Sequence, residues 1–440
     1  MHHPSPFRIE WAVIMLMRKG ELIMQKLLIE GGHRLAGKVE INGAKNSVLP
    51  VLAATLLADG ESVIDNCPCL SDVDASVRIL RHLGCDVTAE YPAVTVHPGG
   101  TCRTDIPDDL MREMRSSIIF LGALIARYGE AHLSYPGGCE LGPRPIDLHL
   151  AALRRMGVHI TESHGKIDCR TDGELHGADI SLSIPSVGAT ENILLAAVTA
   201  KGKTTLRNAA REPEIQDLCH FLTACGAVIT GIGEGVLEIE GVPRLHGCRH
   251  RIIPDRIEAA TYMAAVAAAG GALTLKNVFP PHVAAIVDVL KETGCLIRET
   301  PLGLSVAAPA RLRPMKLVRT MPYPGFPTDA AAPFLAAACL AKGTGVFIET
   351  IFDNRYGYVG ELLRFGAHIK VEGRMAVVEG VSTLSGAAVK CTDLRGGAAL
   401  VVAALAAEGE TEITALHHIQ RGYADLPQTL KNVGAVIEVL

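Results

Sequence analysis

Apolar positions in this chain gather into alanine-rich helical runs that end at Gly60, Gly129, Gly202, Gly271, Gly343 and Gly409. Each run is followed by a strand-like segment, of which Thr204, Thr205, Leu206, Arg207 and Asn208 are one example. A second series runs in phase with the first, with an apolar or small residue, a glycine and then a short apolar stretch around Gly84, Gly157, Gly226, Gly294, Gly366 and Gly434. The six copies recur about every 70 residues, which is the mark of a repeat architecture. Each unit is therefore predicted to hold helix, strand, helix and strand, with glycine supplying the left-handed position after the first helix. Mixed elements exclude an all-helical solenoid and predict an α/β protein, its six units arranged as two domains of three. Periodicity alone does not say where the chain passes between them.

The starts of the first helices carry the candidate chemistry. They are predicted at Lys45-Asn46-Ser47, Ser186-Val187-Gly188, Asp255-Arg256, Thr328-Asp329 and Asp393-Leu394-Arg395, with Arg115-Ser116-Ser117 in the same phase of the second unit. Capping side chains are expected there. If the units fold alike these starts converge, and their free N–H groups and partial positive charge suit phosphate or carboxylate. The loops after the strands repeat an arginine in phase, at Arg144, Arg211, Arg355 and Arg421.

Composition narrows the class. The 440 residues carry a net charge of −5, with 48% hydrophobic and 20% charged residues, as expected of a soluble chain with ample core. No apolar run reaches the roughly 18 residues of a membrane span. Few aromatic residues and a mildly acidic balance argue against a nucleic-acid partner. Twelve cysteines without a Cys-x-x-Cys pair or a secretion signal point to a reducing cytoplasm, with neither a disulfide framework nor a zinc site. Residues 1–23 read as a dispensable extension.

Most of the cysteines suit small buried positions; Cys85 and Cys295 follow repeat glycines and Cys339 sits in an alanine run. Cys139 differs, lying with Arg144 in a glycine- and proline-rich loop where a thiol can meet substrate instead of filling core. Pro145 biases Arg144 towards extended backbone and is suited to open a helix through Ile146, Asp147, Leu148 and His149. Arg112 and Arg115 are three residues apart and are expected on one helix face. Lys45 offers a point charge beside the turn at Gly43. Asp329 fits two readings, the N-cap of a helix 330–340 or a general base ringed by cations, and Asp393 shares the first of these. His149 reads as structural.

Eight ordered motifs then resemble one family. They are Asn42 to Asn46, Met114 to Ser116, Pro136 to His149, Ser186 to Ala189, Ala210 to Glu214, Pro254 to Glu258, Phe326 to Asp329, and Thr392 to Arg395. In order and residue type these are similar to the UDP-N-acetylglucosamine 1-carboxyvinyltransferases, from about Met24 to the end of the chain.

That resemblance implies an inside-out α/β barrel of two domains, each of three helix-strand units, with the active site in the interdomain cleft. The implied catalytic-loop domain covers residues 45–252, and the second combines 24–44 with 253–440. The implied reaction moves the enolpyruvyl group of phosphoenolpyruvate to the 3′-hydroxyl of UDP-N-acetylglucosamine, releasing phosphate, as the first committed step towards peptidoglycan. No cofactor or metal is implied. Lys45, Arg115, Arg144 and Arg421 are implied to surround phosphoenolpyruvate. Arg144, Pro145, Ile146, Asp147, Leu148, Ser186, Val187, Gly188, Asp329 and Ile351 are implied to contact the sugar nucleotide, with Asn46 and Arg395 completing the site. Cys139 is implied as the thiol that forms an adduct with phosphoenolpyruvate and is alkylated by fosfomycin, serving either as proton donor or in product release. Asp329 is implied as base. Ile184 and Pro185 stand where some members place a lysine near the diphosphate, so that contact is absent. Transferases acting on shikimate 3-phosphate share the fold but typically lack the cysteine loop.

Overall fold

The computed structural model describes residues 25–99, 103–137 and 146–440, so residues 1–23, Cys139, Arg144 and Pro145 lie outside the described residues. Two hydrophobic cores organise the chain. One draws on residues from Ala44 to Ile252, the other on Leu27 to Ile41 together with Ala259 to Ile437.

The third unit shows the pattern most fully. Strand Asp179–Ser181 leads through helix Val187–Ala197 to strand Lys203–Arg207, then through helix Pro213–Ala224 to the hairpin Val228–Thr230 and Val236–Glu240. Asp179–Ser181 pairs in parallel with Lys203–Arg207, as a helical crossover requires, and the hairpin adds two antiparallel strands. Each full unit thus holds four strands, two more than the glycine spacing predicts. Of the extra strands, the leading one is only three residues long, and the return strand of the hairpin alternates clearly but lies outside the two glycine series that mark the repeat. In the second unit the leading strand shrinks to the single bridge Asp105–His132, leaving a three-stranded sheet.

Among the described residues there are six repeat sheets and one two-stranded pair, Ala58–Asp59 with Leu245–His246, and three of the six borrow a strand from elsewhere in the chain. Arg249–Arg251 completes the first sheet beside Ser62–Asp65, Leu35–Glu40 completes the fourth beside Gly271–Lys276, and Leu27–Glu30 sits inside the sixth. Between the borrowed strands two crossing segments run side by side. The Ala44 N–H donates to the Ile253 carbonyl at 2.8 Å, and the Asp255 N–H donates to the Asn42 carbonyl at 2.8 Å. Gly43 is needed there, because a Cβ would lie 1.8 Å from the Asn66 carbonyl oxygen.

Helices pack inside and sheets outside. Helix Leu394–Ala406 buries every residue from Arg395 to Leu405, and Arg256–Ala269 and Thr328–Ala338 are buried almost all round where the three meet. A helix enclosed on all faces has no polar stripe, and alanine lets its neighbours approach closely. The strands show one wet face, as in Val236–Glu240, where only Leu237 and Ile239 are buried. Helix Ser71–His82 has the amphipathic pattern of a surface helix. Close approach reaches its limit at Gly122, where a Cβ would stand 2.4 Å from the Asn192 carbonyl oxygen. Among the described residues no helix is long and apolar enough to cross a membrane.

Of the glycines predicted to end helices, only Gly129 is a left-handed cap in direct succession to its helix. Gly60, Gly202, Gly343 and Gly409 do have positive φ, but they turn the chain three to six residues after the helix, just before the strand. In the fourth unit Gly270 closes the helix and Gly271 opens the strand.

Candidate active site

Lys45 opens helix Lys45–Ala54, where Ala44 at the cap position has no side-chain acceptor. The capping group expected from local sequence comes instead from Asp255. Its Oδ2 accepts the Lys45 N–H at 3.1 Å, while its Oδ1 accepts from Ile257 at 2.8 Å and Glu258 at 3.0 Å. One carboxylate therefore serves two helix starts drawn from the two cores.

The Lys45 ammonium lies 2.8 Å from Asp72 Oδ2. Arg421 meets the same carboxylate with both prongs of its guanidinium, Nε at 2.9 Å from Oδ1 and Nη2 at 3.2 Å from Oδ2. Burial pushes the Lys45 pKa below its ordinary value; Asp72 works against that, and the nearby Arg421 and Arg395 add to it. For Asp72, burial favours the neutral acid, but Lys45 and Arg421 outweigh it and hold the carboxyl below its usual range.

A second ion cluster surrounds Asp329. Arg395 Nη2 lies 3.0 Å from Oδ2 and Arg355 Nη2 lies 2.9 Å from Oδ1. Arg355 also donates to the Thr328 carbonyl at 3.2 Å, tying its guanidinium to the helix start. Arg395 is buried, follows the capping residue Asp393 and stacks over Tyr423, whose hydroxyl is 2.7 Å from Thr261 Oγ1. The capping reading of Asp329 does not hold, because its helix runs Thr328–Ala338 with Pro327 at the cap. Asp329 is the second helical residue and turns its carboxylate to two guanidiniums. Asp393 and Ser186 do cap, through bonds from Arg395 and Gly396 and from Ala189 respectively.

Glu349 organises the rim of this cluster. It is buried and accepts from Thr320 Oγ1 at 3.0 Å, Thr328 Oγ1 at 2.7 Å, the Ile351 N–H at 2.7 Å and the Phe352 N–H at 3.1 Å. Exposed Ile351 is thus fixed against the start of the Asp329 helix.

A third group centres on His149. Its Nδ1 meets the Asn192 amide nitrogen at 2.9 Å, and a Cβ on Gly188 would approach its Cε1 to 3.0 Å. Burial lowers the His149 pKa to about 4, helped by the charge of Arg115 and opposed by Asp147. His149 therefore sits neutral between Arg115 and the helix start at Ser186, Val187 and Gly188. Ile146 is the N-cap of helix Asp147–Arg155, two residues later than Pro145 was expected to begin it. Tyr135, Ile146, Asp147, Leu148 and Arg154 line a hollow in front of that helix. Arg112 and Arg115 do not share a helix face. Extended backbone at Met114, with φ −139° and ψ 141°, separates helix Asp108–Glu113 from the 3₁₀ turn Arg115–Ile119.

The candidate residues therefore fall into joined sets. Lys45 and Arg421 share Asp72, Asp329 and Arg395 pair directly, and Arg395 lies close enough to act on the charge of Lys45. Asn46 follows Lys45, half-buried. Sequence reasoning missed Asp72 and Glu349. Arg355 was visible only as one of the arginines recurring in phase.

Comparison with known proteins agrees with this architecture. Residues 29–430 match the family described as EPSP synthase (3-phosphoshikimate 1-carboxyvinyltransferase). The chain is 50% identical over 414 residues to UDP-N-acetylglucosamine 1-carboxyvinyltransferase 2 of Caldanaerobacter subterraneus subsp. tengcongensis, covering 94% of this chain and 99% of that one. It is 48% identical to UDP-N-acetylglucosamine 1-carboxyvinyltransferase of Granulibacter bethesdensis, with the same coverage. Among solved structures, the enolpyruvyl transferase NikO from Streptomyces tendae superposes with a TM-score of 0.84 at 27% identity, covering 94% of this chain and 99% of that one. EPSP synthase from Acinetobacter baumannii superposes with a TM-score of 0.72 at 18% identity, covering 95% and 100%, a likeness of fold alone.

Proposed function

Since the chain belongs to the EPSP synthase family, we propose that it transfers the enolpyruvyl group of phosphoenolpyruvate to the 3′-hydroxyl of UDP-N-acetylglucosamine and releases phosphate. The observation that carries the choice of acceptor is the near half identity, along almost the whole chain, to relatives named for that sugar nucleotide. The reading places the reaction in the cytoplasm, at the first committed step of peptidoglycan synthesis. Its domains are residues 45–252, and 24–44 with 253–440; the two separate hydrophobic cores support that division.

Phosphoenolpyruvate brings about three negative charges, which Lys45, Arg421, Arg115 and Arg144 balance in this reading. Lys45 and Arg421 support it most directly, because they already grip one carboxylate between them. A donor, Cys139, delivers a proton to the methylene carbon, and C2 gains cationic character. Asp329, aimed by Arg355 and Arg395, takes the proton of the 3′-hydroxyl as its oxygen bonds to C2. Loss of a proton from the new methyl group then expels phosphate and restores the double bond. The transfer balances without a cofactor, since phosphoenolpyruvate supplies both the carbon unit and the leaving group. Arg144, Pro145, Asp147, Leu148, Ser186 to Gly188 and Ile351 hold the sugar nucleotide, and Ile146 supports them from a buried position.

The test is phosphate release from phosphoenolpyruvate with UDP-N-acetylglucosamine or shikimate 3-phosphate as acceptor. Release with the sugar nucleotide alone is expected. Release only with shikimate 3-phosphate, or none where binding of both substrates is demonstrated, overturns the reading.

A further inference from the structure

Cys225 closes helix Pro213–Ala224, and Cys248 lies between strands Leu245–His246 and Arg249–Arg251. Both thiols are free, and their sulfurs stand 3.4 Å apart. Ordered backbone sets that gap. The His246 N–H donates to the Cys225 carbonyl at 2.9 Å, and the Val63 N–H donates to the Cys248 carbonyl at 2.9 Å.

The two sulfurs are chemically unequal. Cys225 is buried, whereas Cys248 is partly open. The hydrogen bond from Cys225 lowers the Cys248 pKa, with burial opposing and His250 and His246 assisting. Cys225 is pushed well up by the same bond and by burial. His250 is itself paired with Asp217 at 2.9 Å. Thiolate character and access at one sulfur, beside a sheltered second thiol, is the arrangement of an attacking cysteine with a resolving partner.

We propose that Cys225 and Cys248 form a modification site for hydroperoxides. The Cys248 thiolate attacks one oxygen of hydrogen peroxide, the O–O bond breaks, that oxygen stays on sulfur as the sulfenic acid, and the other leaves as hydroxide, which takes up the proton given off by the Cys248 thiol to become water. Cys225 sulfur then attacks Cys248 sulfur; the S–S bond forms, the S–O bond breaks, and the hydroxyl departs with the Cys225 proton as water. Two thiols are oxidised to a disulfide, and one peroxide is reduced to two waters.

The sulfurs must close by about 1.4 Å to reach a bond of about 2.05 Å, within reach of side-chain rotation. The link joins positions 23 apart and ties the second helix of the third unit to the segment that completes the first sheet. It is independent of the enolpyruvyl reaction and uses none of its residues.

The full chain is treated with limiting hydrogen peroxide, remaining thiols are blocked with iodoacetamide, and peptides are mapped by mass spectrometry without reduction. A Cys225–Cys248 linked peptide that is released by reductant is expected. Cys248→Ser abolishes it, and Cys225→Ser, which keeps a hydrogen-bond donor but cannot form the disulfide, leaves Cys248 trapped by dimedone as the sulfenic acid. Recovery of alkylated Cys248 while exposed Cys69 is oxidised overturns the proposal, as does linkage of Cys248 only to other cysteines. The wild-type map decides between these results even if a variant fails to fold.

Discussion

Arg421 grips Asp72 with two hydrogen bonds of 2.9 and 3.2 Å across 349 positions of sequence. The pair joins residues on opposite sides of the division between the two cores and sets Arg421 beside Lys45. Asp72 is the counter-charge in that trio, and its removal exposes the strain on the buried ammonium. Asp72 raises the Lys45 pKa, whereas burial, Arg421 and Arg395 lower it. In Asp72→Asn the Lys45 pKa therefore falls further, so neutral lysine is reached at lower pH. The alkaline limb of the pH profile for kcat/KM is expected to move towards neutrality. A limb unchanged or moved upward contradicts a role for protonated Lys45 in binding phosphoenolpyruvate.

Asp329 makes a different prediction, because its two guanidiniums outlast it. Asp329→Asn keeps the shape but removes the base, and general acid–base catalysis contributes about 10² to 10⁴ in rate. Single-turnover phosphate release is expected to fall by that order while both substrates still bind. Asp329→Ala is also expected to lose turnover while remaining folded. Release at the wild-type rate in both variants would show that Asp329 serves only to hold Arg355 and Arg395.

Cys139 is tested by mass. Cys139→Ser is expected to form no adduct with phosphoenolpyruvate and to resist alkylation by fosfomycin, read as an unchanged intact mass. A mass increase that persists in the variant assigns the adduct to another cysteine. This assay is separate from the peroxide map, which reads linked peptides at Cys225 and Cys248.

The repeat, the fold class and most of the cation set were legible because each is written locally. A glycine marks a turn, an alanine run marks a helix enclosed on all sides, and arginines keep phase with both. Contacts set by distant sequence were hidden. Asp72 looks like any acidic residue in the first turn of a surface helix, and only the tertiary fold brings Arg421 to it. Asp255 reads as the cap of its own helix, but it also accepts from Lys45. Glu349 follows a strand and has no motif around it that signals four bonds. At Met114 local spacing misled, since extended backbone there ends the helix that would have joined Arg112 to Arg115.

His149 links acid stability to the site. Its pKa is about 4 in the folded chain against 6.5 for the free group, so the unfolded state binds more protons between those values. Its contribution is complete above pH 6.5 and is lost progressively as pH falls to about 4. A shift of this size is worth about 3 kcal/mol. Denaturant titrations of His149→Gln are expected to show a flatter dependence of stability on pH across that window. A slope identical to that of the parent would remove His149 as its source.

At Glu349 placement and chemistry are separable. Its Oε1 accepts from Thr320, Ile351 and Phe352, and its Oε2 from Thr328. Glu349→Gln keeps the first three acceptor contacts if the amide oxygen takes the Oε1 place, and Thr328 Oγ1 then turns to accept from the amide. Glu349→Ala leaves two peptide N–H groups and two hydroxyls without their acceptor, at about 1–3 kcal/mol for each buried group left unsatisfied. The loop bearing Ile351 is then free to leave the Asp329 helix. The expected pattern is near-normal kinetics for Gln and, for Ala, a KM for the sugar nucleotide raised tenfold or more with a smaller loss in kcat. KM for phosphoenolpyruvate should change least, because its proposed cations Lys45 and Arg421 are held by Asp72 and not by this loop. Equal losses for both substrates in Glu349→Ala would instead mark Glu349 as a general support of the fold.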